Sequence, residues 1–189
     1  MSKGTRLFIL GAVLVVIDQI IKVLVKTNMS LGETVDVIGD WFKLHYVLNE
    51  GMAFGMAFGG FWGKALLSLF RVVLFGVLCW WIDKLAKRPD TPAGVLVGLT
   101  MITAGAMGNI IDCFFYGMIW PELTMPGAPF NFLFGRVVDM FYFPLFTWPE
   151  WIPLIGGDVF FGPVFNFADS CVSCSVVALL IFYRDRFLK

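Results

Sequence analysis

The chain has 189 residues, of which 59% are hydrophobic, 17% aromatic and 15% charged, and its mean hydropathy is +0.83. Soluble domains average about 45–50% apolar and about 25% charged residues, so this composition excludes an ordinary water-soluble globule. The 14 basic and 14 acidic residues cancel, which leaves no positive surplus for binding nucleic acid. The length allows one compact unit, and together with the apolar composition it predicts a single integral membrane domain over residues 1–189.

Four segments are long and apolar enough to cross a hydrocarbon core, which requires roughly 20 mostly apolar residues. Lipid offers no partner to unpaired backbone groups, so each segment is predicted to be a helix. The predicted spans are residues 7–25, 65–82, 93–111 and 165–183. The first span is not expected to be a cleaved secretory signal. Charged residues lie at its carboxyl end, where a signal peptide would have a cleavage site of small residues.

The basic residues that flank the spans predict their direction, because cytoplasmic loops are enriched in Lys and Arg. One side carries Lys3, Arg6, Lys84, Lys87, Arg88, Arg184, Arg186 and Lys189. The termini and the short connection 83–92 are therefore predicted to be cytoplasmic. The two long outer segments, residues 27–63 and 113–164, are predicted to face the outside.

The outer segments do not have the composition of ordinary loops. Residues 33–48 contain short β-prone runs separated by Gly39 and Asp40, which predicts a small sheet. Residues 113–164 are rich in Phe, Trp and Pro, and such aromatic residues favour the headgroup layer. This second segment is therefore expected to lie along the membrane surface.

Ionisable residues within the spans point to one buried polar site, because charges at membrane depth usually face a bundle interior. At a rise of about 1.5 Å per residue, Asp18 lies roughly 10 Å and Asp169 roughly 6 Å below the outer surface. Asp112 lies at the outer mouth. The pairs Asp18/Lys22, Asn109/Asp112 and Asn166/Asp169 are spaced to share a helix face.

The alternative is that these polar residues only hold the helices together. That interpretation suits Asp18 and Lys22, which neutralise each other. It suits Asp169 less well, because its own span contains no cation to pair with it. For Arg71, near the middle of the second span, a structural pairing or snorkelling to the interface is expected.

Asp139 lies outside the spans, in the apolar stretch GRVVDMFYF. A solvated surface acid is one interpretation, but the apolar neighbours argue against it. If this segment folds over the mouth of the bundle, Asp139 can meet Asp169. Two carboxyls in one semi-dry site cannot both ionise easily, so one retains a proton. Such a pair can activate water for attack on a peptide bond.

A metal site is not expected. His45 is the only histidine, and Cys171 and Cys174 lie within a predicted helical span without a nearby histidine. Structural zinc sites usually need four ligands. The sequence also contains no phosphate-binding loop, no GxSxG elbow and no histidine-based metalloprotease pattern.

Five short motifs resemble those of the signal peptidase II family, the bacterial lipoprotein signal peptidases. In chain order they are DQIIK at 18–22, NEGMAFG at 49–55, GAMGNIID at 105–112, VVDM at 137–140 and FNFAD at 165–169. The resemblance implies that Asp139 and Asp169 form a catalytic dyad. It implies supporting roles in the site for Asp18, Lys22, Asn49, Gly51, Asn109, Asp112 and Asn166.

The same resemblance implies an aspartic endopeptidase of the bacterial inner membrane that needs no metal or cofactor. Such enzymes remove the signal peptide from diacylglyceryl-modified prolipoproteins, just before the lipidated cysteine, and are blocked by globomycin. The implied partners are the prolipoprotein substrate, membrane lipid and a globomycin-type inhibitor, with no obligate protein partner. The implied fold is an all-α membrane protein of four transmembrane helices, with a small extracytoplasmic β cradle and a periplasmic surface segment.

Two features depart from the family pattern. The family has Arg directly after the Asp of its GNxID motif, whereas this chain has Cys113, and Arg136 is the hypothetical substitute cation. The separations on either side of Asp139 are also longer than usual. The additional segments WPELTMPGAPFNF and TWPEWIPLIGGDVFFG are expected to form a larger surface lid.

Two other functions compete with a peptidase. A small proton- or ion-coupled transporter would use Asp18, Lys22, Asp112 and Asp169 as a relay, but a relay needs access from both sides and these groups gather near one face. A purely structural membrane subunit would need the acids for assembly and not for turnover.

Overall fold

The structure, a computed structural model, describes residues 1–50 and 60–187. Its helices are α1 (Lys3–Asn28), α2 (Gly60–Ala86), α3 (Ala93–Ile111), the short α4 (Gly117–Ile119) and α5 (Phe167–Phe187). A π-helical turn, Asp112–Tyr116, joins α3 to α4, and a 3₁₀ turn, Pro121–Leu123, follows. The strands are β1 (Thr34–Ile38), β2 (Phe42–Asn49), β3 (Val137–Tyr142), β4 (Phe146–Thr147) and β5 (Val159–Phe160).

The four long helices coincide with the four predicted spans, and each is long and apolar enough to cross a membrane. Three of them expose large apolar side chains, such as Phe8 on α1, Phe70 on α2 and Phe182 on α5. Water would disfavour so much exposed apolar surface, whereas lipid accepts it. The protein is therefore a multi-pass membrane protein. Three helices extend beyond the predicted limits: α1 begins at Lys3, where the Ser2 hydroxyl accepts the Thr5 N–H, α2 runs from Gly60 to Ala86, and α5 continues to Phe187.

Helix α3 is the central helix, and α1, α2 and α5 all pack against it. Its approach to α5 depends on glycine, because a Cβ on Gly105 would collide with the Ala168 carbonyl oxygen, and one on Gly98 would lie 2.9 Å from Leu179 Cγ. Small residues let helix backbones approach closely in membranes, where no hydrophobic force drives association. This close contact brings Asn109 on α3 beside the first turn of α5.

Gly105→Ala is expected to destabilise the fold, because the added methyl group meets rigid backbone of α5. Overpacking of this kind costs about 1–3 kcal/mol, which thermal unfolding in detergent would detect as a lower Tm. Gly76→Ala on α2 is the matched control, since a Cβ there meets nothing within 4 Å. An alanine at position 105 with an unchanged Tm would contradict this account of the α3–α5 contact.

The predicted outer sheet is present. Strands β1 and β2 form an antiparallel pair around the turn at Gly39, whose φ of 51° suits glycine. Residues 137–142, which the sequence places in a segment along the membrane surface, form β3 instead. This strand pairs antiparallel with β2 and sets Asp139 opposite Val47. Val138 and Met140 are fully buried, so β3 is covered by the rest of the protein.

A bridge between β3 and the segment before α5 brings the two acidic motifs of the outer region together. The Phe141 N–H donates to the Phe165 carbonyl at 2.7 Å, and the Phe165 N–H donates back to the Phe141 carbonyl at 3.1 Å. Asp139 lies two residues before this bridge and Asp169 four residues after it. The backbone thus folds the VVDM and FNFAD motifs against each other.

Strands β4 and β5 form a separate two-stranded hairpin inside the second additional segment. Phe146 and Phe160 stack at 4.7 Å across it, and Trp148 packs edge-on against both rings. Trp151 and Leu154 at its tip are exposed. The lid interpretation of this segment stays a prediction.

Candidate active site

A buried ionic cluster ties α1 to the end of α3. Lys22 Nζ lies 2.9 Å from Asp18 Oδ2 and 2.7 Å from Asp112 Oδ2, and all three side chains are at most 1% exposed. The same ammonium donates to Asn109 Oδ1 at 2.9 Å. The cluster therefore holds helices together, as the structural alternative expects for Asp18 and Lys22, and it also fixes a side chain that reaches the candidate dyad.

Gln19 is a member of this cluster that the sequence analysis did not identify. Its Nε2 donates to Asp112 Oδ1 at 2.9 Å and to the Gly108 carbonyl at 3.2 Å, while its Oε1 accepts the Tyr116 hydroxyl at 3.1 Å. Adjacent helical residues do not share a face, so spacing relative to Asp18 gave no signal. The π-helical turn that begins at Asp112 provides the local widening in which these groups meet.

The start of α5 is fixed by a reciprocal cap between Asn166 and Asp169. Asn166 Oδ1 accepts the Asp169 N–H at 2.9 Å, and Asp169 Oδ2 accepts the Asn166 N–H at 3.4 Å. This is the pattern of a capping box, in which two unpaired helical donors are satisfied together. Asp18 Oδ1 accepts another donor of this first turn, the Ala168 N–H, at 2.9 Å. The NFAD sequence therefore encodes both a helix start and the position of Asp169.

Asp139 is a buried acid, 1% exposed, and the surface-acid interpretation is wrong. Its Oδ2 accepts the Asn49 side-chain amide at 3.0 Å and its Oδ1 accepts the Asn166 amide at 2.6 Å. Burial, and after it the nearby charge of Asp169, raises the pKa of Asp139 to about 7. Near neutral pH this carboxyl therefore carries a proton for much of the time.

Asn166 connects the two acids. Its amide nitrogen donates to Asp139 Oδ1 and, at 3.2 Å, to Asn109 Oδ1, while its oxygen holds the Asp169 backbone. Asn109 in turn donates to Asp169 Oδ1 at 2.9 Å. Asp169 is half-buried and Asp139 fully buried. The result is an unequal pair of carboxyls, one sheltered and one accessible, each held by amide donors.

Gly51, one of the predicted site residues, lies outside the described residues. The Arg136 guanidinium donates to the Glu122 carbonyl oxygen at 2.8 Å, and its role as substitute cation stays a prediction. The guanidinium that contacts the Cys113 thiol, at 3.5 Å, belongs to Arg71. The structure thus supports the pairing interpretation of Arg71.

Within residues 1–50 and 60–187, no three His, Cys, Asp or Glu side chains are grouped so that they could hold a metal ion. Cys171 is buried and Cys174 exposed, and both are free thiols. The acids of the site are instead engaged by lysine and amide donors.

Comparisons with known proteins assign the chain to a family. The family model of signal peptidase (SPase) II matches residues 10–184. A lipoprotein signal peptidase of Porphyromonas gingivalis strain ATCC 33277 is 44% identical over 195 residues, covering 97% of this chain and 84% of the relative. A lipoprotein signal peptidase of Amoebophilus asiaticus strain 5a2 is 37% identical over 185 residues, covering 95% of this chain and 78% of the relative.

Solved structures support the fold. A bacterial membrane enzyme determined by the in meso method at 1.9 Å resolution superposes with a TM-score of 0.67 at 22% identity, covering 95% of this chain and 93% of that one. These comparisons lend no support to the transporter alternative. The family match over most of the chain shows that the protein belongs to the signal peptidase II family, whose members remove signal peptides from prolipoproteins.

Proposed function

We propose that the protein is an aspartic endopeptidase in which Asp139 and Asp169 form the catalytic dyad. The observation that carries this proposal is the shared amide of Asn166, which donates to the carboxyl of Asp139 and accepts from the backbone of Asp169. Burial, and after it the nearby charge of Asp169, raises the pKa of Asp139 to about 7, so Asp139 can keep a proton near neutral pH. Such a pair contains both the base and the acid that peptide hydrolysis needs.

The proposed roles follow from the difference in burial. Asp169, the more accessible carboxylate, takes a proton from a water molecule as that water attacks the scissile carbonyl carbon. Asp139, the sheltered acid, gives its hydrogen bond to the carbonyl oxygen and stabilises the developing negative charge. When the C–N bond breaks, the leaving amine receives a proton from the dyad. The products are the carboxylate of the signal peptide and a new amino terminus.

The proposed substrate is a diacylglyceryl-modified prolipoprotein, cut just before its lipidated cysteine. Its apolar signal helix would lie beside the spans, with the lipid tails in the bilayer. The acids lie near the outer ends of α1 and α3 and at the start of α5, which suits a cleavage site at the outer surface. We place the protein in the bacterial inner membrane with both termini cytoplasmic, because the basic residues flank the spans on one side.

The neighbouring polar groups support the dyad and do not react themselves. Asn109 and Asn49 each hold one carboxylate oxygen, and Lys22 fixes Asn109 in turn. Because each amide is tied to a different element, loosening one contact would let a carboxyl turn away from the water. Positioning of this kind contributes to catalysis through geometry rather than through charge.

Purified protein incubated with a lipidated preprotein is expected to release the signal peptide, leaving a product that begins at the modified cysteine when analysed by mass spectrometry. The same preprotein without the diacylglyceryl group should be cut far more slowly, and a globomycin-type inhibitor should stop the reaction. A chelator should leave the rate unchanged, since the acids accept hydrogen bonds from amide groups. Absence of cleavage under these conditions would contradict the proposal.

The activity is expected to decline on the alkaline side, because Asp139 must be protonated to act as the acid. With a pKa of about 7 for Asp139, kcat/KM should fall about tenfold per pH unit above that value. In the native protein Asp139 keeps its proton up to a higher pH than in the unfolded chain. Its contribution to the free energy of unfolding is therefore complete at low pH. That stability is lost as the pH rises through about 7.

Asn49→Leu tests whether the pKa of Asp139 determines the pH at which kcat/KM begins to fall, here called the alkaline limb. The Asn49 amide favours the ionised form of Asp139, so its removal should raise the pKa of Asp139 and move the limb to higher pH. Asn131→Leu, at an exposed asparagine that bonds Thr124, is the control and should leave the profile in place. A limb that stays fixed in Asn49→Leu, or moves to lower pH, would show that another group titrates.

A further inference from the structure

Lys64, near the start of α2, is a buried lysine with no role in the contacts described so far. Its side chain is 1% exposed. Lys22, the other buried lysine of the described chain, neutralises Asp18 and Asp112. Lys64 forms no ion pair with any carboxylate of residues 1–50 or 60–187. A buried charge without a counter-ion is costly, so a lysine in this environment is expected to serve a function.

The Lys64 ammonium holds the end of strand β2. Its nitrogen donates to the backbone carbonyl oxygen of Glu50 at 2.9 Å. Glu50 directly follows Asn49, the last residue of β2. A hydrogen bond from a charged donor is roughly twice as strong as one between neutral groups. Helix α2 is therefore tied to the point at which β2 leaves the outer sheet.

Asn49 needs such a support, because it lies at the open end of the ladder between β2 and β3. Its register partner is Val137, the first residue of β3. Asp139 lies two residues further along β3 on the same face, and its Oδ2 accepts the Asn49 amide at 3.0 Å. The ends of secondary-structure elements open more readily than their centres. The contact that holds Asp139 is thus made by the part of β2 that is most prone to fray.

We propose that Lys64 is a positioning residue of the peptidase: by binding the Glu50 carbonyl it fixes the end of β2, and so keeps the Asn49 amide on Asp139. The inference rests on the proposed dyad, because the effect of Lys64 on catalysis passes through the acid of that pair. A displacement of about 1 Å in a catalytic group can cost a factor of about 10² in rate. A tether on the neighbouring backbone limits such a displacement without taking part in the chemistry.

Lys64→Met removes the donor and keeps an unbranched side chain. With the lipidated preprotein, kcat is expected to fall about tenfold while KM stays nearly unchanged, because the substrate contacts remain and the acid is held less firmly. The Asn49 amide favours the ionised form of Asp139, so a loosened amide should also move the alkaline limb to higher pH. Lys64→Arg, which keeps a cationic donor, should restore most of both. Lys84→Met, at an exposed lysine that lies over the Trp80 ring near the other end of α2, is the control and should match the wild type.

A double variant separates geometry from charge. Asp139 faces the charges of Asp169 on α5 and Lys22 on α1, and the loss of another cation nearby would by itself raise the pKa of Asp139. If Lys64 acts through Asn49, Lys64→Met combined with Asn49→Leu should have the kcat and the limb of Asn49→Leu alone. A further shift in the double variant, equal to the shift in Lys64→Met, would show that the charge acts directly and would overturn the proposal.

Hydrogen exchange measures the tether without any substrate. In Lys64→Met the peptide that covers residues 42–50 should exchange faster than in the wild type, and unchanged exchange there would overturn the proposal. A lower Tm with an unmoved limb and an unchanged kcat would also overturn it, since Lys64 would then only stabilise the fold. If Lys64→Met fails to fold, Lys64→Gln, whose neutral amide is a weaker donor, should show the same changes to a smaller extent. A wild-type protein that cuts no lipidated preprotein would instead refute the proposed function, while hydrogen exchange would still decide whether Lys64 holds β2.

Discussion

Asp139→Asn and Asp169→Asn are each expected to lower kcat/KM for a lipidated preprotein by at least about 10³-fold, within the range that loss of a general acid or base produces. An asparagine at position 169 could not take a proton from water, and an asparagine at position 139 could not deliver one to the leaving amine. Because the two carboxyls act as one unit, the double variant should be hardly worse than either single one. Turnover with a quenched lipopeptide substrate measures all three.

Folding must be checked in the same variants. Both oxygens of Asp139 accept amide donors, and both oxygens of Asp169 accept N–H groups. An asparagine turns one of these acceptors into a donor, which can cost about 1–3 kcal/mol where the partner stays buried. Thermal unfolding should therefore show a folded protein with a Tm a few degrees lower. An inactive variant that still unfolds cooperatively supports a catalytic role.

Asp158→Asn is the matched control, since Asp158 is an exposed acid in the β4–β5 hairpin segment. It should retain full activity. If either dyad variant kept more than about a tenth of the wild-type rate, the loss would be too small for a general acid or base and the assignment of the dyad would be wrong. If both dyad variants failed to insert, the acids would belong to assembly, as the structural alternative holds.

The membrane spans could be predicted from sequence because hydrocarbon imposes a simple rule of length and hydropathy on each segment separately. The acids within the spans could also be assigned to one site from sequence, because the depth of a residue in a membrane helix follows from its number. Asp18, Lys22 and Asp112 meet as that arithmetic predicts. The β1–β2 hairpin also has a local signal, in its β-prone runs and its glycine turn.

The position of Asp139 could not be derived from local pattern. It depends on β3 pairing with β2, which lies far earlier in the chain, and on the bridge from Phe141 to Phe165. Such pairing is chosen by long-range packing, and the apolar run VVDMFYF fits a surface segment equally well. The apolar neighbours of Asp139 supplied only the conditional expectation that it meets Asp169 if its segment folds over the bundle, and the motif resemblance implied that the two acids form a dyad.

The partners that Gln19 and Arg71 find on another element were also beyond sequence reasoning. Gln19 and Arg71 stand in apolar spans, and their contacts with Asp112 and Cys113 follow from the rotation of α1 and α2 about α3. Hydropathy identifies a helix as a span but does not give its rotation unless polar residues mark a single face. The spans α1, α2 and α5 expose apolar side chains to lipid. Because lipid tolerates an apolar residue on any face of a span, hydropathy does not show which face packs against the other helices.

Lys22→Met is expected to be the most destabilising single change in the spans. It leaves Asp18 and Asp112 buried without their cation, and removal of one partner from a buried ion pair costs about 3–5 kcal/mol. For a chain of this length that corresponds to a Tm lower by roughly 10 °C. Activity should fall as well, because Asn109 Oδ1 loses its charged donor and keeps only the longer contact from the Asn166 amide, which holds Asn109 less firmly beside Asp169.

Two further variants distinguish charge from packing in this effect. Lys22→Met combined with Asp112→Asn removes one of the two stranded acids, so it should recover part of the lost Tm although the side chain at position 22 is still apolar. Lys26→Met, one turn along α1, removes a lysine whose partner Glu122 is 60% exposed, and surface pairs contribute about 0–1 kcal/mol. If Lys22→Met and Lys26→Met lowered Tm equally, the buried cluster would contribute no more than a surface pair, and the Asn166 amide would be the main support of Asn109. A large loss at Lys22 with partial recovery in the double variant would instead mean that the same ionic contacts stabilise the bundle and hold the amide beside Asp169.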